Sequence, residues 1–401
     1  MNSSTAELTA VLVKVNQETF NQAISLVSRA VAKHGIQPVL SNILLKADQE
    51  NQTITLAATD LDLSLAIEIP AQVLTPGEIT LPAQKTQELV SKLPRLELTL
   101  QCTDKEVITF ACGRSKFEIK GLSADQFPRE FLNIQSDNTE ESFELPIKSL
   151  KEATHLVNFA SDKKEANSIL NGICLEISPK GLEIAATDGS RLAYYKIENA
   201  TFTQEKKVVI PFRSINEFSR MISGLDEEFV KCYVPNSSQI VFKTASRTLS
   251  SSLIDGNYPK YQQLIPLNFS HTAIVERVNL LSALERVSVL ANEKSKVVKL
   301  LFEESGVLNI SAQTPDLGEA EDQLDMVNYE GQDFSIAFNV LYMAECLRNL
   351  DTKLVQIKMS EPLKPIVLSL QKDDNDNTEE NAENKNNFEY LYLLMPVQLR
   401  N

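Results

Sequence analysis

Carboxylates are the side chains of this sequence with the most chemical promise. Asp60 and Asp62 lie two residues apart, and Asp188 sits in a related A-T-D-G context, Ala186 to Gly189. Acidic pairs hold magnesium in enzymes that cut phosphodiesters, so a carboxylate- and metal-dependent nuclease is the catalytic reading. A plainer explanation competes with it. Asp62 has apolar neighbours in an alternating strand, and an Asp in a T-D-G turn hydrogen-bonds its own backbone. Other chemistry has little material. The three histidines, His34, His155 and His271, are scattered, which leaves no obvious Ser-His-Asp or zinc cluster. The five cysteines, Cys102, Cys112, Cys174, Cys232 and Cys346, form no C-x-x-C and mostly alternate with apolar residues, as buried free thiols do. Asp373 to Asn377 is acidic enough for a calcium loop but lacks the turn Gly and the distal Glu. Neither a P-loop nor a G-x-G-x-x-G is present. The expectation is a chain with no catalytic residue, no metal and no cofactor.

Composition bounds the class. The 401 residues allow two to four domains, and 43% hydrophobic with 23% charged residues describes an ordinary globular chain. No run of eighteen apolar residues occurs and the opening MNSSTAELTAVLVKVNQ is not a secretory leader, so a cytoplasmic protein with no membrane partner is expected. The formal charge of -15 argues against a tight grip on nucleic acid, unless basic residues line a narrow inner surface of an acidic body.

The elements that must carry these residues come in three copies. A-T-D-L at Ala58 to Leu61, A-T-D-G at Ala186 to Gly189 and Q-T-P-D at Gln313 to Asp316 recur at a spacing of about 128 residues. Each follows a strand-like segment and precedes an amphipathic helix, beginning near Pro82, Pro211 and Phe338. A second helix opens each copy. In the first, Phe20, Ile24, Val27 and Val31 share one face and predict a helix over about 17–33, which Gly35 and Pro38 end. The others are predicted over about 147–160 and 280–291. With about eight short strands per copy, the fold class is α+β: three similar domains, each with two helices packed on mostly antiparallel sheet. Residues 371–387, rich in Asn, Asp and Glu, form an acidic insertion near the end.

Six motifs in order carry a resemblance over nearly the whole chain. LNG at Leu170 to Gly172, ATDGSRLA at Ala186 to Ala193, NYPKYQQLIP at Asn257 to Pro266, ANEK at Ala291 to Lys294, FNV at Phe338 to Val340 and a terminal LMPVQL resemble the bacterial DNA polymerase III beta subunits, the beta sliding clamps. The resemblance implies three clamp domains, 11–138, 139–265 and 266–401, after an extension at 1–10. It implies a homodimer closed head to tail into a six-domain ring around double-stranded DNA, bound without regard to sequence. The function implied is that of a processivity factor, which tethers the replicative DNA polymerase and other clamp-binding proteins and is handled by a clamp loader. A clamp paralogue dedicated to repair shares all of these features.

Three sites follow from the resemblance. A partner-peptide cleft between the second and third domains is formed by Leu170, Thr187, Gly189, Arg191, Leu192, Pro259, Gln263, Leu264, Leu363, Pro365, Leu393, Leu394, Met395, Pro396 and Val397. Aliphatic and Met walls suit a short peptide with Leu and Phe anchors. Ser190, Asn167, Ser295 and Gln398 depart from the family's usual larger or basic residues, which predicts a less basic rim. The DNA-facing candidates on the six helices or at their ends are Arg29, Lys33, His34, Lys85, Lys92, Lys148, Lys151, Arg213, Arg220, Arg286 and Arg348. The dimer interface is expected from Arg114, Lys116, Phe117 and Ile119 on one side, where Lys120 adds charge, and Val289, Leu290, Glu319, Glu321 and Asp322 on the other.

Overall fold

The computed structural model of the protein describes residues 9–33, 37–103, 106–132, 142–165, 168–197, 205–292, 296–314, 318–371 and 388–398. Six α-helices and 26 strands occur among them, and every strand pairing is antiparallel. The helices are α1 (Gln17–Val27), α2 (Ala83–Ser91), α3 (Ile147–Asn158), α4 (Phe212–Met221), α5 (Arg277–Ser288) and α6 (Val340–Asn349). That is two per copy, on sheets of four to nine strands.

α1 is shorter than its apolar periodicity predicts. Asn16 caps it, accepting from the N–H groups of Glu18 and Thr19, and Phe20, Ile24 and Val27 are buried on one face. At Ser28 the chain tightens into a 3-10 turn, and the Ala32 N–H pairs with the Leu40 carbonyl at 3.0 Å. That outside partner ends the helix six residues before Lys33. The helices near Ile147 and Leu280 also differ from expectation by two or three residues, as frayed ends do.

The described chain divides into two compact units, 1–148 with 216–253 and 149–215 with 254–401. In the first unit, one sheet runs Gln72–Thr75, Thr9–Asn16, Glu97–Thr103, Val107–Cys112, Ser115–Lys120. The other has eight strands and crosses from the first copy to the second: Arg247–Ser252 lies antiparallel to Leu63–Pro70, with Leu249 opposite Leu65. In the second unit a nine-stranded sheet crosses from the second copy to the third through Arg191–Ile197 and Phe388–Leu394, with Leu192 opposite Leu393. A four-stranded sheet ends on Gly318–Asp325.

The cores alternate as half-buried strands require. Glu97–Thr103 buries Leu98, Leu100 and Cys102 and exposes or half-exposes the residues between. All five cysteines are buried free thiols; desolvation pushes Cys174 and Cys346 up to about 12. Leu249 and Leu65 are wholly buried where two copies share a sheet. Leu249→Ala is expected to lower the stability of the first unit by about 2–5 kcal/mol, the cost of a buried Leu truncation. Urea unfolding checks it, and a loss under half a kcal/mol would mean that this seam is not packed as described.

Candidate functional site

The second and third copies meet along a strand pair, and the residues of the expected groove gather at its ends. Strand Gly181–Thr187 stops at a tight turn, and the turn is held by its own side chains. Thr187 Oγ1 accepts the Gly189 N–H at 3.1 Å and donates to the Arg191 carbonyl at 2.5 Å. Asp188 Oδ1 accepts the N–H groups of Ser190 and Arg191 at 2.9 and 3.2 Å. Gly189 sits at φ +85°, which a side chain there would strain. The chain then re-enters the sheet at Arg191–Ile197, opposite Phe388–Leu394, and the Met395 N–H reaches back to the Ser190 carbonyl at 3.0 Å.

Below the groove lies a cluster of buried residues: Cys174, Ala185, Leu192, Tyr194, Val209, Tyr258, Tyr261, Val367, Leu391 and Leu393. Ile169, Leu170, Ile254, Ile265 and Phe269 pack against it half-buried. The Tyr258 hydroxyl accepts the Thr187 N–H at 3.1 Å and so ties the connection 257–266 to the turn. Gly172 permits the close approach at the cluster's edge, because a Cβ there would meet Val209 Cγ1 at 2.5 Å and the Ile210 carbonyl at 2.9 Å.

The expected cleft residues separate into floor and rim. Leu192, Leu393 and Leu394 are 1% exposed and Thr187 is 5% exposed, so they are floor. Leu170 and Pro365 are half-buried, and Pro396 is half-buried at the start of the tail. Pro259, Gln263, Leu264, Leu363, Met395 and Val397 are exposed, Leu363 at 64%. Exposed aliphatic side chains around a buried apolar floor can take up Leu and Phe anchors of a peptide. Gln398 is exposed at the rim, whereas Asn167 and Ser295 lie outside the described residues.

Arg191 differs from its expected role as groove wall, being 5% exposed beneath the groove. Its Nε meets Asp188 Oδ2 at 3.0 Å, Nη1 meets Glu345 Oε2 at 2.7 Å, and Nη2 donates to the Phe159 carbonyl at 2.9 Å. Its guanidinium carbon lies 4.5 Å from the centroid of the Tyr342 ring. Lys163 completes the network, 3.1 Å from Glu345. Glu345, Tyr342, Phe159, Tyr258 and Tyr261 join the site only through the fold. The i, i+3 spacing of Tyr342 and Glu345 on α6 was the available signal.

Two of the three carboxylates of the nuclease reading are committed elsewhere, and Asp62 is exposed. Asp60 Oδ1 accepts the N–H groups of Asp62 and Leu63, at 3.2 and 2.8 Å, and Asp188 holds its turn and Arg191. Among the described residues no group of three His, Cys, Asp or Glu side chains could hold a metal ion.

The basic candidates are exposed, but six have acidic partners within the chain. Arg29 and Arg220 approach Glu217 at 3.7 and 2.6 Å, Lys85 and Lys92 approach Glu88 at 3.6 and 3.0 Å, Arg286 meets Asp322 at 2.7 Å and Arg348 meets Glu285 at 2.7 Å. Lys33, Lys148, Lys151 and Arg213 are exposed, and His34 lies outside the described residues. Lys33 follows the 3-10 turn after α1 and is not on a helix. At the expected dimer surface Arg114, Lys116 and Phe117 are exposed and Ile119 is half-buried on Ser115–Lys120, while Lys116 is 3.2 Å from Glu118. Val289 is 75% exposed, Leu290 is half-buried, and Glu319 and Glu321 are exposed. Asp322 departs from the expected acidic face: it turns to α5 and Arg286, and Asp325 is the other exposed acid of that strand.

Family models for the N-terminal, central and C-terminal domains of the DNA polymerase III beta subunit match residues 11–132, 144–260 and 262–380. The chain belongs to the beta sliding clamp family. It is 37% identical over 390 residues to the beta sliding clamp of Synechococcus elongatus, covering 96% of this chain and 98% of that one. The beta sliding clamp of Pseudomonas putida is 30% identical over 391 residues, covering 96% and 99%. Among solved structures, the sliding clamp of Pseudomonas aeruginosa bound to griselimycin matches at TM-score 0.86 and 26% identity, over 97% of this chain and 100% of that one. The sliding clamp of Bacillus subtilis matches at TM-score 0.85 and 25% identity, over 98% and 100%. The function is that of a non-catalytic processivity factor of DNA polymerase III. Among the described residues no helix is long and apolar enough to cross a membrane.

The buried network yields a prediction about acid stability. Burial raises the Glu345 carboxyl, but hydrogen bonds and charge from Arg191 and Lys163 outweigh it and hold the group below its ordinary value. A depressed carboxyl contributes stability that is present above its unfolded value, about 4.3, and is lost as pH falls through the lower folded value. Arg191→Met leaves the Phe159 carbonyl unpaired and is expected to cost about 1–3 kcal/mol at pH 7. The deficit should shrink below about pH 4.3, where the unmodified chain loses the same contribution. Denaturation at pH 7 and pH 3.5 measures it, and a deficit that does not change with pH would remove Glu345 from the account.

Proposed function

We propose that two copies of this chain close head to tail into a six-domain ring around duplex DNA, acting in the cytoplasm. The groove at the second junction then takes short peptides from the replicative polymerase, the clamp loader and other proteins of replication and repair. The domains are 11–138, 139–265 and 266–401, after a short extension.

The observation that carries this reading is a rule of strand pairing with two unmet ends. At each junction the last strand of one copy pairs with the strand that follows the A-T-D turn of the copy before: Arg247–Ser252 with Leu63–Pro70, and Phe388–Leu394 with Arg191–Ile197. The last strand of the first copy, Ser115–Lys120, and the acidic strand of the third copy, Gly318–Asp325, each end a sheet. By the same rule they are mates, and a second molecule supplies each. Lys116 and Lys120 then face Glu319, Glu321 and Asp325, with Phe117, Ile119, Val289 and Leu290 as the apolar part. Pairing also covers backbone groups that invite aggregation when left open.

Arg29, Lys33, His34, Lys85, Lys92, Lys148, Lys151, Arg213, Arg220, Arg286 and Arg348 face the DNA in this arrangement. Contact to phosphates alone gives salt-sensitive binding that reads no sequence and permits sliding. Tethering raises the effective concentration of polymerase at the template without new chemistry.

A loaded ring stays on a nicked circle and runs off when the circle is cut, so equal retention on both would sink the topological mechanism. Phe117→Asp is expected to shift the mass in light scattering from dimer toward monomer. Deleting Met395 to Asn401 should weaken a Leu- and Phe-bearing partner peptide at least tenfold and leave the dimer intact. Loss of the dimer instead would assign the tail to assembly.

A further inference from the structure

We propose that the junction of the first and second copies carries a second binding site, for an acidic peptide segment that inserts an aromatic side chain. The two junctions repeat one another in register. The Leu61 N–H donates to Thr59 Oγ1 at 3.0 Å, as Gly189 does to Thr187, and the Leu63 N–H donates to Asp60 Oδ1 as Arg191 does to Asp188. The Ser252 N–H meets the Asp62 carbonyl at 2.7 Å, as Met395 meets Ser190 at 3.0 Å. Leu61 even holds φ +80°, close to the +85° of Gly189.

In this register Ala66, opposite Ala57 and Thr248, stands where Tyr194 lies opposite Ala185 and Leu391. At the second junction the Tyr194 ring packs 5.9 Å from the Tyr261 ring, and Lys207 Nζ sits 5.9 Å over Tyr261. The first junction has a cavity of about 300 Å³ with Leu44, Ala66 and Leu132 in its lining. Phe127 and Phe131 pack with Leu44 and Ala66 in the buried cluster beside it, so the ring that the second junction has and the first lacks is the one on Tyr194.

Charge supplies the rest of the ligand. Lys46 lies opposite Glu78 as Glu176 lies opposite Lys207. Glu176 and Lys207 are paired at 2.6 Å, whereas Glu78 is taken by Arg129 at 2.7 Å, and Lys46 has no ion-pair partner among the described residues. Lys243 is a second such amine in the lining, and Arg247 points to the carbonyls of Met221 and Ser223. Glu68 is the other carboxylate, exposed. Glu227 stands beside the lining, its Oε2 accepting the Ala245 N–H at 2.9 Å, and four cations against three carboxylates still favour an anionic ligand.

The test titrates the full chain with N-acetyl-Asp-Tyr-Asp-amide by NMR, beside the Lys-Tyr-Lys and Asp-Ala-Asp analogues. Saturable binding of the first is expected, with the analogues at least tenfold weaker. Ala66→Tyr, which fills the cavity as its counterpart does, should weaken binding at least tenfold. Where that variant does not fold, the double variant Lys46→Glu, Lys243→Glu should do the same. Both variants should leave partner-peptide binding at the second junction unchanged, which separates this site from the groove. No saturable binding, equal binding of Lys-Tyr-Lys, or retention by the folded variants overturns the proposal.

Discussion

A sheet edge leaves backbone N–H and C=O groups unpaired, and the organisation of this chain follows from how its edges are closed. Each copy has a strand that needs a neighbour and a strand that offers itself as one. Pairing between consecutive copies satisfies both, which is why the eight- and nine-stranded sheets each cross from one copy to the next. The groove is a by-product of that closure. The turn Asp188–Ser190 leads into Arg191–Ile197 and the tail at Met395 leaves that strand's mate, Phe388–Leu394, so both meet above the buried apolar floor. A peptide held at such a sheet seam, as proposed, meets a surface whose rigidity is that of the seam, which lowers the ordering cost of binding.

Arg191 shows what keeps such a seam in register. A buried guanidinium with Asp188, Glu345 and the Phe159 carbonyl as partners has its donors committed in several directions at once. Buried pairs of this kind add little net stability but are costly to break, so they fix one arrangement. Here the arrangement links the groove turn to α6, the helix that also bears Arg348. The residue type drew attention in the sequence as a cationic wall; three dimensions turn it into a support under the wall.

The legibility of the sequence divides along burial. Helices with an apolar stripe, such as Phe20, Ile24 and Val27, and strands that alternate, such as Leu63 to Ile69, announce themselves because one face is dry. Gly318–Asp325 did not, since GEAEDQLD is acidic and is an edge within the chain, with little apolar pattern to display. The end of α1 was misread for a different reason: Val31 continues the helical spacing, but Ala32 finds a stronger claim on its N–H at Leu40. The proposed groove's residues come from motifs, whereas which of them are buried and which exposed depends on pairing partners hundreds of residues apart. Asp322 is the clearest case, since only the fold reveals that Arg286 takes it away from the acidic edge.

That same pair bears on how a chain of charge -15 holds a polyanion. Six basic candidates on or beside the helices are held by carboxylates of this chain; all six cations are exposed, and so are their partners except Glu217, which takes Arg29 and Arg220 at 9% side-chain exposure, and Asp322 at 21%. Exposed ion pairs are weak, about 0–1 kcal/mol, so a phosphate can compete for the cation at little cost. At the six paired candidates that cost would lower the gain from each phosphate bound in the proposed ring. A surface of half-neutralised cations is therefore suited to many short-lived contacts over few lasting ones. Strong, unpaired cations would hold DNA at one place, whereas a topological hold needs only that the surface should not repel the helix it surrounds.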